Sequence, residues 1–381
     1  MIFLQNTNIS VRILLAKRLD CDILHVMRHE AISEIFTMYS SSVVFLIAEA
    51  KKRGIWKDSL GINQNNGALI PHENYLQFAD KLTKLSKDPA FYFAAFSTFK
   101  APEKYEEPGV IVYNMPDLLR AYNVGRLATN SFINSLHVDQ LYGKNTMGIS
   151  FYFLPNSVDL KKTMCENYFT NIFQMLLVFC GEKEHFIKLE LPYKKPSYHA
   201  NLEEFFQCPI EYFPQSPRGN IFLASSCLAA PNPFPESKLT FSYLRKKMHE
   251  QWRHTFFSGK IGMVYQDLLC NMRNGSLEIE ETCKRIGIHP RQLQKELQKE
   301  GTSFRDILAR VRLKKSFRLI LQNKMNMEEI AIRSGFDSAG SMTRFYKQIS
   351  EKTPTEIRSE YLLTMPVLDA HLEEQNPSLT G

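Results

Sequence analysis

The sequence predicts an α+β domain followed by an all-α domain with two helix-turn-helix motifs joined by a long helix. Three observations predict it. The first is a repeat: EETCKRIGIHPRQLQKEL, starting at Glu280, is matched 48 positions later by EEIAIRSGFDSAGSMTRFYK. The second is a change of periodicity near residue 131, from helical spacing to strand-like alternation, with eight of the 18 prolines at positions 192–235. The third is a charge asymmetry. The net charge is +7, and residues 265–365 alone hold 18 Lys/Arg against 13 Asp/Glu.

A chain of 381 residues with 44% hydrophobic content divides into two or three domains with ordinary cores. The basic C-terminal quarter points to a polyanionic partner, against the plainer reading of a solvated basic surface. Seven cysteines (21, 165, 180, 208, 227, 270, 283) form no C-x-x-C pair. This speaks against a disulfide framework and a zinc site, and it suits a reducing, cytoplasmic setting. The longest apolar runs, Val43–Ala48 and Met175–Cys180, are far short of the roughly 20 residues that span a bilayer. No signal peptide is read at the N-terminus. No metal ligand set and no cofactor motif is found, so neither is expected.

Taken in order, residues 1–38 give no reading. Ser41–Gly54 is a helix ending on a glycine after a basic last turn. Tyr75, Phe78, Ala79, Leu82 and Leu85 recur at three- and four-residue spacing, which predicts an amphipathic helix, broken at Asp88-Pro89 and followed by a second apolar helix. A further helix is expected over Met115–Asn130. SFINSLHVDQLYG and MGISFYFLP are expected as strands joined at Gly143–Asn145. Met164–Phe179 returns to helix, and HFIKLELPY is a strand by alternation. The proline-dense stretch 192–235 is expected to hold only short strands and loops. The mixed α+β domain that these elements form is rich in Phe and Tyr, which would line a pocket or, more simply, form core. APNPFPES (230–237) is a linker, with a helix over Leu239–His254.

A helix over Gly262–Arg273 leads into the repeat. Ile279–Ile286 is the first helix of motif one, Gly287-Ile288-His289 its turn, and Pro290 opens the second helix, where a missing N–H is harmless. Leu293 and Leu297 face inward, so Arg291, Gln294, Lys295 and Lys299 face outward. Arg and Lys suit guanine edges or phosphates, and Gln suits adenine. Ser303–Gln322 is one helix of roughly 30 Å, close to the roughly 34 Å between successive major grooves on one side of B-DNA. Motif two starts at Asn326, an N-cap with Glu329 three residues on. Its second helix, Ser338–Ile349, turns Met342, Phe345 and Tyr346 inward and Ser341, Thr343, Arg344 and Lys347 outward. Gly340 within it is costly for a helix. TPTEIR (353–358) caps the domain.

On these residues the segment 276–358 resembles the DNA-binding domain of the AraC/XylS family of bacterial transcription regulators. EGTSFRDILARVRLKKSFRLI is similar to that family's linking helix, and GFDSAGSMTRFYKQISEKTPTEIR to its signature around the second motif. The chain departs from the usual pattern at His289 (commonly serine), Met342 (phenylalanine), Glu351 (glycine) and Ile357 (aromatic). The resemblance matches Arg291, Gln294 and Lys295, and Ser341, Thr343, Arg344 and Lys347, to contact positions on DNA. Over about residues 40–250, ADKLTKLSKDPAFYFA, YFTNIFQMLLVFCGEKEHFIKLELPYKKP and FFQCPIEYFPQSPRGNIFLASSCL resemble the arabinose-binding-type effector domain of the ornithine-utilisation and virulence-regulator branch. That implies effector sensing or dimerisation and does not establish a sugar ligand.

The domain expectation is therefore an N-terminal segment (1–38), an effector and dimerisation domain (39–232), a linker with a helix (233–261), the double helix-turn-helix domain (262–362) and a polar tail (363–381). The function expected is a sequence-specific transcription regulator, usually an activator in that family. Its partners would be promoter DNA, RNA polymerase, a small-molecule effector and a second copy of the chain, with no membrane. Two other readings compete: a ligand-independent architectural regulator, and an N-terminal enzyme targeted to DNA. The second lacks support from G-x-S-x-G, H-E-x-x-H or a phosphate loop, and His137, His185, His199 and Cys208 stand isolated.

Overall fold

The computed structural model describes residues 37–39, 41–57, 69–98, 115–132, 136–154, 158–180, 185–231, 259–272, 277–299, 302–366 and 368. Beyond Pro231, the expected linker and the helix over Leu239–His254 lie outside the described residues, as does nearly all of the 1–38 segment. The architecture is an N-terminal α+β part and a C-terminal all-α part with two helix-turn-helix motifs on either side of a long helix. No helix among the described residues is long and apolar enough to cross a membrane.

The N-terminal part begins with a short antiparallel pair, β1 (Thr37–Tyr39) and β2 (Leu69–Pro71). Helix α1 (Ser41–Lys52) ends in Lys51 and Lys52 ahead of Gly54, whose φ of +70° suits a residue without Cβ. Helices α2 (His72–Ser86) and α3 (Phe91–Ser97) follow. Tyr75, Phe78, Ala79 and Leu82 are buried as their spacing predicts, whereas Leu85 is exposed. Helix α4 (Leu118–Phe132) starts where Asp117 accepts the Arg120 N–H, and it runs on through Ser131 and Phe132, where the sequence pattern predicts strand. The strand proper, β3, covers only Leu136–Tyr142 and pairs with β4 (Thr146–Phe153). Helix α5 spans Val158–Cys180, six residues longer at its start than the sequence pattern indicates. β5 (Phe186–Leu191), α6 (His199–Phe206), β6 (Ile210–Tyr212) and β7 (Arg218–Ala224) complete the part. The eight-residue helix α6 was missed. It fits between Pro196 and Pro209, so no proline ring meets a carbonyl one turn back.

The five strands form one sheet in the order β3-β4-β7-β5-β6, antiparallel except for the parallel pair β5–β6. Alternation along β4 decides what each face does. Met147, Ile149, Phe151 and Phe153 point into the N-terminal core with Phe169, Phe173 and Ile221. Tyr152 and Leu154 point the other way, into a core that otherwise consists of C-terminal residues. All eight residues of β4 are buried. A sheet with one wet face would leave every second residue exposed.

The C-terminal part contains α7 (Gly259–Asn271), α8 (Ile279–Ile286), α9 (Pro290–Lys299), α10 (Phe304–Gln322), α11 (Met327–Arg333), α12 (Ala339–Ser350) and α13 (Pro354–Leu363). TPTEIR opens α13, with Thr353 and Glu356 forming a reciprocal capping box. Helix α10 serves two cores. Ile307 and Val311 join Val264, Leu268, Cys283, Leu293 and Leu297, while Leu313, Phe317, Ile320 and Leu321 join Ile330, Ala331, Met342, Tyr346 and Ile357. The expected polar tail is not wholly separate: Met365 packs on the second core and Leu368 lies against Gly148.

Candidate nucleic-acid interface

The two motifs close by the same hydrogen bond. In the first, Gly287 is left-handed (φ +71°) and the Ile288 N–H reaches back to the Cys283 carbonyl at 3.0 Å. In the second, Gly335 is left-handed (φ +76°) and the Phe336 N–H reaches the Ala331 carbonyl at 2.9 Å. This six-to-one bond satisfies a carbonyl that the helix end would leave open. Cys283 and Ala331, both buried, are small enough to let the next helix approach.

Each second helix is then started by its own cap. His289, which stands where a serine is common, accepts the Arg291 N–H on Nδ1 at 3.3 Å, so the imidazole does the work of a hydroxyl. Ser338 accepts the Ser341 N–H at 3.2 Å, and the Ser338 N–H is received by Ser341 Oγ at the same distance. Glu328, at the start of α11, accepts the Ala339 N–H at 3.0 Å and adds an anion at the positive end of α12. The remaining departures are also absorbed. Met342 and Ile357 are fully buried in the second core. Glu351 ends α12 in a left-handed conformation (φ +60°), which costs a non-glycine residue about 1 kcal/mol.

Packing sets which side chains remain outside. Leu293 and Leu297 are buried on α9, and Arg291, Gln294, Lys295 and Lys299 are exposed opposite them. On α12 Met342 and Tyr346 are buried, the Tyr346 hydroxyl lying 2.8 Å from Ser316 Oγ of α10. Arg344 and Lys347 are exposed, and Thr343 is half-buried. Ser341, named with them from the sequence, is half-buried and its hydroxyl also donates to the Ser338 carbonyl at 2.8 Å. Its atoms are therefore engaged in starting the helix.

Arg291, Lys295, Lys299, Arg344 and Lys347 take part in no ion pair among the described residues. Other basic residues of this part hold the fold. Arg285 of α8 grips Asp267 of α7 through two bonds of 2.8 and 2.7 Å. Arg358 of α13 donates to the carbonyls of Ile320, in the last turn of α10, and Met325, just beyond it, both at 3.0 Å. Arg312 lies over the Phe336 ring at 5.1 Å. The sequence separates the two groups only by helical register: the five lie opposite buried leucines or aromatics, and the others do not.

Residues 282–360 match a family of helix-turn-helix domains. Over 102 residues the chain is 26% identical to the HTH-type transcriptional regulator GadX of Escherichia coli O6:H1, and equally to that of Escherichia coli O127:H6. That match covers 26% of this chain and 37% of the relative, so the chain spans little more than a third of the length of the curated relatives it matches. Among solved structures it is similar to the transcriptional regulator CdpR from Pseudomonas aeruginosa. There the TM-score is 0.43 at 14% identity, over 84% of this chain and 99% of that one. It is also similar to ToxT from Vibrio cholerae O395, with a TM-score of 0.25 at 15% identity, over 38% and 70% of the two chains.

Proposed function

We propose that this chain, whose C-terminal domain matches a helix-turn-helix family and resembles AraC/XylS regulators, is a sequence-specific DNA-binding transcription regulator, acting as an activator under the control of its N-terminal part. One observation carries this reading. Two successive motifs each present an exposed cationic face, Arg291/Lys295/Lys299 and Arg344/Lys347, opposite a buried apolar stripe. Cations with no ion-pair partner among the described residues are free to displace counterions from phosphates, which supplies affinity, while Gln294 and Arg291 can read base edges, which supplies specificity. The 19-residue helix α10 spaces the motifs by about 28 Å, so that one copy reads two major grooves in succession.

The remaining partners follow from the same reading. An activator must meet RNA polymerase, and a controlled one must bind a ligand whose affinity differs between its two states. The N-terminal α+β part, with its aromatic core, is the element we assign to a small-molecule effector and to pairing of two copies. A footprinting titration on promoter DNA at several salt concentrations tests the proposal. Protection across two consecutive major-groove turns per copy, weakening steeply with salt, is expected. Binding that is insensitive to salt, or protection of a single turn, would overturn it.

A further inference from the structure

We propose that Arg218 is the hub of an interdomain latch that clamps the second helix-turn-helix motif, and not the first, to the N-terminal sheet. The geometry is specific. Arg218 opens β7 on the sheet face that carries Tyr152, and its side chain is 0% exposed. Within its own part it binds Asp139 Oδ2 at 3.0 Å and Ser150 Oγ at 2.8 Å. Across to the C-terminal part it donates to the Tyr361 carbonyl at 2.9 Å and to Thr364 Oγ1 at 3.1 Å. Its guanidinium packs against two rings, 5.1 Å from the centre of Tyr152 and 4.5 Å from that of Tyr361, which are themselves edge to face at 5.3 Å.

The contact has the chemistry of a helix cap. Tyr361 sits in the last turn of α13, where carbonyls lack partners within the helix and the dipole is negative. An arginine brought from the other domain satisfies one of those carbonyls and the dipole together. One return bond runs the other way: the Tyr361 hydroxyl donates to Asp139 Oδ1 at 2.6 Å. A further bond from the sheet joins it, the Tyr152 hydroxyl donating to Glu360 at 2.7 Å. Glu360 is in turn paired with Lys352 at 2.5 Å. His137 stands beside Asp139 at 3.2 Å, with its ring edge-on to Tyr361. Tyr152 and Leu154 extend the latch into apolar contact with the second core, Tyr152 stacking on Phe317 of α10.

The asymmetry gives the latch a use. The second motif's core includes Tyr152 of the sheet and Leu154 just beyond β4, whereas the first motif's core contains, among the described residues, none from before the C-terminal part. The latch touches α13 and α10 and leaves Arg344 and Lys347 exposed, so docking does not mask the DNA-reading face. It fixes where that face points. A change in the sheet then reaches α12 through α13 and the core they share, and reaches α9 only along α10. This inference rests on the proposed regulatory reading for its meaning, but its test does not require DNA.

Hydrogen exchange on the full-length chain without DNA tests it, comparing the wild type with Arg218→Met. Protection over residues 354–365 is expected to fall at least about tenfold, while residues 279–299 and the N-terminal helices α2 and α3 change by less than about twofold. Unchanged protection at 354–365, or equal loss at 279–299, would overturn the latch. Should Arg218→Met unfold the N-terminal part, Tyr361→Phe decides by the same pattern. It removes one return bond and leaves Arg218 paired, and a loss of about threefold confined to 354–365 is expected, against none if the latch is wrong. A parallel titration with a duplex of random sequence at low salt addresses the regulatory reading alone.

Discussion

Tyr361, in the last helix, and Asp139, in the first strand of the five-stranded sheet, are 222 residues apart in the chain and 2.6 Å apart in space. Burial alone would raise the Asp139 carboxyl. The hydrogen bond and charge of His137, the Tyr361 hydroxyl and the Arg218 cation outweigh it and hold the acid below its ordinary range. Removing one neutral donor from such a set is a mild perturbation. Tyr361→Phe is expected to lower the unfolding free energy by about 1 kcal/mol, read as a shift in the urea midpoint. A loss several times larger would mean that the hydroxyl organises the whole contact.

Gly287 and Gly335 occupy equivalent positions, yet the same substitution should not cost the same. Both have positive φ, so alanine at either is strained by about 1 kcal/mol. A Cβ at Gly287 meets nothing within 4 Å. At Gly335 it would stand 2.4 Å from Leu277 Cδ1, so the leucine or the helix pair must shift. Gly335→Ala is therefore expected to destabilise by about 1–3 kcal/mol more than Gly287→Ala, the usual range for overpacking. Thermal unfolding of the two variants side by side settles the order.

Much of the C-terminal part was legible because its signals are local. Gly287 and Gly335, the Asn326/Glu329 capping box and the Leu293/Leu297 pair each act within a few residues. The N-terminal part hid what depends on distant partners. In GISFYFLP the residues Ser150, Tyr152 and Leu154 suit a half-wet strand, and nothing nearby announces that α13 will cover them. Arg218 follows a proline in a turn-like stretch, where a charged residue is ordinarily solvated. The early start of α5 was missed because its first turns carry Asp159, Lys161 and Lys162, which break the apolar stripe. Lys161 is nonetheless buried, donating to the Ser216 carbonyl at 2.8 Å. Ser341 shows the limit of helical register as a guide to contact: it lies near the outward face, but its hydroxyl is already committed to the cap.

Glu166, in the middle of α5, gives the N-terminal part a pH dependence. Burial pushes its carboxyl up to about 7 despite the opposing pull of the Lys162 charge and of hydrogen bonds from Tyr198 (2.6 Å) and Tyr193 (3.2 Å). Its second oxygen has no hydrogen-bond partner among the described residues. The folded state thus keeps a proton that the unfolded chain releases near pH 4.5. The stabilisation is fully present below that pH and is lost as pH rises through about 7, a change on the order of 3 kcal/mol. Glu166→Gln should flatten this part of the stability–pH curve and unfold at higher denaturant than the wild type at pH 8. An unchanged slope between pH 5 and 8 would assign the dependence elsewhere.

On DNA, Lys295→Ala and Ser341→Ala should fail in different ways. Lys295 is exposed and forms no ion pair among the described residues, so its loss should leave the melting temperature in place. Affinity should weaken, and the slope of log affinity against log salt should fall by about 1. Ser341→Ala removes half of a capping box, and a loss of about 0.5–1 kcal/mol of stability is expected, with a smaller effect on affinity. Equal affinity losses at matched stability would show that Ser341 contacts DNA after all.

Gly340, one residue into the turn that Ser338 caps, separates two explanations of its presence. A Cβ there would meet only Ser338 Oγ at 3.7 Å, an ordinary contact, and the residue is exposed. Nothing among the described residues calls for glycine, so Gly340→Ala should stabilise α12 by about 0.5–1 kcal/mol through helix propensity. If the position is small so that a phosphate backbone can approach the start of the recognition helix, the stabilised variant will bind DNA more weakly than the wild type. If the glycine instead keeps α12 soft until DNA orders it, the variant will bind more tightly, since less ordering remains to be done on binding. Melting temperature and affinity measured on the same preparation distinguish the two, and a variant less stable than the wild type would contradict both.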